Sequence, residues 1–106
     1  MFHVRRTYKT KPGLARKVAT LVHKQVQIIK DAGFRGDFLV YFNGGTTPSE
    51  VDTVTVQWTD EALMSGMREG KKPIPEGLNI ANKVSELIIS SKIEFNELLT
   101  PSKMLD

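Results

Sequence analysis

Few residues in this chain have side chains that could do chemistry, and they are scattered. There is no cysteine, which excludes disulfides, thiolate metal sites and a cysteine nucleophile. The two histidines are His3 and His23. His23 follows Val22 by one step, about 100° round a helix from the apolar stripe, so solvent is its expected environment. His3 shares a strand face with Arg5 and is a candidate ligand-binding residue, lining a cavity or meeting a carboxylate of a partner chain. Two isolated histidines without acidic neighbours at ligand spacing make no metal site. A phenol, a carboxamide and an indole, Tyr41, Asn43 and Trp58, are the catalytic candidates if they project into a closed apolar cavity. Tyr41 and Asn43 fall on one strand face, with Trp58 across the hairpin or near it. Against that role, a tryptophan at the end of a strand is usually a core anchor, and Tyr41 fits a packed ring with its hydroxyl at the rim. Arg68, Lys71 and Lys72 could hold an anionic ligand at a cavity mouth, although a solvated loop is the plainer reading. The paired acids Asp60 and Glu61 read as helix N-terminal charges. No nucleophile elbow, P-loop or dinucleotide fingerprint occurs, and Asn43-Gly44-Gly45 reads as a turn. No cofactor is implied.

Length and composition frame these candidates. The 106 residues make one domain, 1–106, with 40% hydrophobic and 25% charged residues, an ordinary globular balance. No apolar run approaches a membrane span, and Met1-Phe2-His3-Val4-Arg5-Arg6 lacks the apolar core of a signal peptide. A soluble, cytoplasmic protein without a membrane role is expected. The net charge of +3, from 15 basic and 12 acidic residues, is spread along the chain rather than gathered with aromatics into a nucleic-acid-binding stripe.

The elements that must position the candidates follow from periodicity. Phe2, Val4, Arg6 and Tyr8 alternate with His3, Arg5 and Thr7, which predicts a strand over Phe2–Tyr8. Lys9 to Gly13 breaks it, with Pro12 suited to a first helical turn. Leu14, Val18, Leu21, Val22, Val26 and Ile29 then form one apolar face, and Gly33 stands where a helix C-cap belongs. Asp37 to Asn43 reads as a strand covered on both faces. Asn43 to Glu50 is a loop, and Val51 to Trp58 alternates as the next strand. Thr59 or Asp60 is expected to cap a second helix carrying Ala62, Leu63, Met64 and Met67. That helix must break at Gly70 to Gly77, read as a mobile flap at a pocket edge, and resume through Ile80, Ala81, Val84, Leu87, Ile88 and Ser91. A last strand is expected over Lys92 to Leu99.

Helices and strands in this order pack as an α+β sandwich, with both helices on one face of a four-stranded antiparallel sheet. In the second strand Phe38, Val40 and Phe42 point one way and Leu39 and Tyr41 the other. Both sheet faces therefore call for cover, and a second copy of the chain is the simplest lid.

Lys11-Pro12-Gly13 before a long first helix, a strand ending in Trp58 followed by Thr59-Asp60-Glu61-Ala62, and the four-strand, two-helix order resemble the dimeric α/β-barrel superfamily. That group has a ferredoxin-like fold and includes antibiotic-biosynthesis monooxygenase-like proteins. The resemblance implies a homodimer. Its haem-degrading members use an Asn on the first strand and a Trp and a His in the second helical region, none of which this chain matches. Two functional classes remain: a homodimer that binds a small aromatic or anionic ligand between sheet and helices, and a cofactor-independent monooxygenase-like enzyme acting on a small aromatic substrate.

Overall fold

The computed structural model describes residues 1–61 and 74–106. The element order is β1 (Phe2–Thr10), α1 (Ala15–Asp31), β2 (Phe38–Asn43), β3 (Thr53–Asp60), α2 (Pro75–Leu87) and β4 (Ile88–Glu97), followed by a short 3-10 turn at Pro101–Lys103. The strands form one antiparallel sheet in the order β2-β3-β1-β4, accompanied among the described residues by two α-helices: the expected ferredoxin-like α+β architecture. The expected helix over Ala62, Leu63, Met64 and Met67, and the candidates Arg68, Lys71 and Lys72, lie outside the described residues.

One side of the sheet makes the core. Register sets Val4 beside Trp58 and Tyr8 beside Val54, so the even-numbered residues of β1 and β3 share a face. They pack with Ala15, Val18, Ala19, Val22 and Val26 of α1 and with Val84 of α2. Each valine removed from water there contributes roughly 1.5 kcal/mol or more. The stripe on α1 recurs at three- and four-residue spacing because only that spacing keeps side chains on one side of a helix.

The other side of the sheet is more polar than β2 alone suggested. It presents His3, Arg5, Thr7 and Lys9 from β1, Thr55 and Gln57 from β3, and Lys92 and Glu94 from β4, with Arg5 and Glu94 3.8 Å apart. Its apolar surface is Leu39 and Tyr41 on β2, both more than half exposed. The expectation of two apolar faces holds for that strand, not for the sheet.

Several boundaries differ from the sequence reading, and the largest shifts have identifiable causes. β3 runs on to Asp60, because Thr59 and Asp60 pair with His3 and Phe2; the helix they were expected to cap lies outside the described residues. Pro75, Glu76 and Gly77 open α2 rather than lying in a break, with Pro75 in the first turn, where a missing N–H leaves no bond unmade. Helical spacing continues through Ile88 and Ser91, yet α2 ends at Leu87. The Lys11 N–H takes the Leu87 carbonyl at 2.9 Å, and Thr10 pairs with Ile88, so β1 pulls the chain directly into β4.

Candidate functional site

The end of α1 builds one corner of the molecule. The Gly33 N–H donates to the Lys30 carbonyl and the Phe34 N–H to the Ile29 carbonyl, the paired bonds of a Schellman motif. The motif needs a left-handed residue, and Gly33 supplies it at φ +83°. The chain is thereby turned so that Phe34, Arg35 and Gly36 meet the end of β3, and Lys30 Nζ binds Asp37 at 2.8 Å on the outer side of the turn. Between turn and strand lies a cleft of about 410 Å³, lined by Phe34, Arg35, Trp58, Thr59 and Asp60 with the two flanking glycines.

Trp58 forms one wall. It is only 7% exposed, yet its indole Nε1 has no hydrogen-bond partner among the described residues. A buried donor left unpaired costs about 1–3 kcal/mol. The Arg35 guanidinium lies over the indole ring, 3.8 Å from its centroid. Burial lowers the Arg35 pKa, and the negative charge of Asp60 works in the opposite direction. None of the ion pairs among the described residues involves Arg35 or Arg6.

Arg6 and Tyr8 extend this chemistry along the same sheet face. Arg6 sits opposite Val56, one step diagonal from Trp58, and is half-buried on the core side. Tyr8 is buried, and burial pushes its phenol above its ordinary range. Arg6 pulls the other way through its charge and as a donor to the hydroxyl, and Arg35 adds a smaller charge effect. Trp58 Nε1, the two guanidinium groups and a phenol that keeps its proton can all donate, and the first three can do nothing else. Such a corner complements an acceptor-rich or anionic group.

The sequence candidates do not converge. Trp58 lies at this corner. Tyr41 faces the open side of the sheet, opposite Thr55, and is 54% exposed. Asn43 is buried at the far end of β2, where both amide donors are committed: Nδ2 reaches the carbonyls of Thr47 at 3.2 Å and Glu50 at 3.1 Å. Its Oδ1 accepts from the Gly45 N–H at 2.8 Å. Asn43 therefore holds the β2–β3 loop. His3 is exposed on the open face beside Thr59 and Asn96. His23 is exposed too, with its ring 5.0 Å from that of Phe38. Arg35, Arg6 and Tyr8 were not among the candidates. Arg6 had a readable signal, a charge in phase with Phe2, Val4 and Tyr8; Arg35, between two glycines in a turn, had none.

No protein-family model matches the sequence, and no curated protein matches it. Solved structures do. A protein from Agrobacterium tumefaciens is similar over 99% of this chain and 100% of its own, at 18% identity and a TM-score of 0.73. A NIPSNAP family protein from Agrobacterium tumefaciens strain C58 is similar over 99% of this chain and 98% of its own, at 21% identity and a TM-score of 0.68. An antibiotic biosynthesis monooxygenase is similar over 94% of this chain and 100% of its own, at 8% identity and a TM-score of 0.58. At these identities the likeness is one of fold, a ferredoxin-like α+β sandwich.

Proposed function

We propose that this chain is a homodimer that binds a small anionic or aromatic ligand in the cleft between the α1–β2 turn and the end of β3. The observation that carries the reading is the indole N–H of Trp58, shut away from water with no partner among the described residues. An acceptor brought by a ligand would recover the missing hydrogen bond. Because Nε1 is covered, an acceptor reaches it only when lining side chains shift while Arg35 keeps its place over the ring. Arg35 and Arg6 carry positive charge that no described carboxylate neutralises by direct contact, which favours an anionic group. Trp58 is the only tryptophan, so its fluorescence reports on this corner alone. Titration with a panel of small aromatic and anionic compounds is expected to give a saturable emission change with at least one class, together with a rise in thermal midpoint. A panel without any saturable change contradicts the reading.

The dimer is supported by Leu39 and Tyr41, which leave the open sheet face apolar along β2. Sedimentation at micromolar concentration should give twice the chain mass. Leu39→Asp should give the monomer with its helix and sheet content intact, whereas Val40→Asp, on the helix side, should unfold it. A wild-type monomer would remove this part of the proposal.

A further inference from the structure

We propose that the ligand of this corner is a small planar monocarboxylic acid, held through the N–H edge of Arg35 while the guanidinium face rests on Trp58. The inference depends on the cleft being a ligand site at all. A guanidinium that stacks on an aromatic ring uses its face and leaves its N–H groups free in the plane, where they match the two oxygens of a carboxylate. The 3.8 Å stacking over Trp58 fixes that plane in advance, and Gly33 at φ +83° with the Schellman bonds fixes the turn that carries Arg35. The pairing is thus prepared without a partner present, since no described carboxylate contacts Arg35.

Asp60 sets the charge of the ligand. It lines the same cleft and acts on Arg35 through space without a direct ion pair, so a second negative charge entering there meets repulsion. A monoanion is tolerated better than a phosphate carrying close to two charges. Phe34, also on the cleft wall, offers an apolar surface to the body of the acid.

The test uses the whole protein and four probes: benzoate, the neutral isostere benzamide, inorganic phosphate and uncharged 2-naphthol, each titrated by calorimetry and by Trp58 fluorescence. Benzoate should saturate, with benzamide and phosphate at least about tenfold weaker. Arg35→Lys keeps the charge but loses the fork and should weaken benzoate about tenfold or more, with the thermal midpoint unchanged. Asp60→Asn should tighten benzoate and improve phosphate relative to it, which keeps the inference testable if the Arg35 variant fails to fold. Benzamide binding as well as benzoate, phosphate binding more tightly than benzoate, or wild-type benzoate affinity in Arg35→Lys would each overturn the assignment. Saturation by 2-naphthol with no response to benzoate would overturn it while leaving the cleft a ligand site. Silence from all four would remove the ligand site as well.

Discussion

The two ends of the β2–β3 hairpin both bury polar groups, and they treat them in opposite ways. At the loop end, Asn43 spends its amide on Thr47, Glu50 and Gly45. Nearby, Asp52 accepts from the Gly13 N–H at 3.1 Å through its side chain and from the Thr10 N–H at 2.8 Å through its carbonyl. Asp52 is held at φ 57°, a left-handed conformation that Asp tolerates better than most residues. Every one of these groups serves the backbone. At the other end Trp58 Nε1 has no described partner, and Arg35 rests on a ring rather than on a carboxylate. Burial of polarity at the first end closes a fold; at the second it leaves a donor without a described partner, the basis of the proposed ligand site.

Breaking each end separately should give the largest difference. Asn43→Ala strands the Thr47 and Glu50 carbonyls and the Gly45 N–H, and is expected to cost about 2–3 kcal/mol in urea unfolding. Trp58→Phe removes ring volume but also deletes an unpaired donor, so it should cost distinctly less, about 1–2 kcal/mol. Equal losses would mean that the indole N–H finds a partner in solution and that the contrast fails.

A smaller effect separates Tyr8 from both ends. Its folded-state pKa is raised above the ordinary value of 10.0, chiefly by burial. The folded protein thus disfavours the phenolate, so stability is fully present below pH of about 10 and declines as pH rises toward the folded pKa. Tyr8→Phe should flatten that alkaline decline relative to wild type in thermal melts between pH 8 and 11. Parallel curves for the two proteins would contradict the burial argument.

The smallest effect is expected at Asp37, whose pKa is lowered by the hydrogen bond and charge of Lys30. A depressed carboxylate stabilises above its unfolded pKa, near 4, and loses that contribution as pH falls through the lower folded value. Asp37 is fully exposed, so Asp37→Asn should leave the neutral-pH midpoint within error and differ only by a slight change below pH 4. A clear destabilisation at neutral pH would show that the turn before Phe38 depends on this pair.

Most of the fold was legible because periodicity and burial agree. The α1 stripe from Leu14 to Ile29, Gly33 as the helix stop and the alternation of β1 and β3 follow from spacing that only one secondary structure satisfies. The start of β4 was not legible: Leu87 and Ile88 fit a helix and a strand equally, and the choice was made by Lys11 and Thr10, more than seventy residues away. The β3 end ran past Trp58 for a similar reason, since the partners of Thr59 and Asp60 are His3 and Phe2, far away in the sequence. The corner was half legible. Trp58 stood out by type, and Arg6 lay in phase with the core residues of β1, where an unpaired charge is unusual. Arg35 depended on where a turn carries it, which local spacing does not encode. Asn43 shows the converse, because a residue type suited to catalysis can be wholly occupied in holding a loop.

The claim that the Trp58 corner is left open for a ligand has one direct measurement. The chain contains a single tryptophan, so a ¹⁵N-labelled sample gives a single indole N–H resonance in NMR spectra. Adding benzoate should move that resonance downfield along a saturable curve as Arg35 engages the acid and the N–H gains an acceptor, with the amides of Phe34, Arg35 and Gly36 shifting in step. An indole resonance unmoved at saturating benzoate and at saturating levels of the other probes would contradict the account.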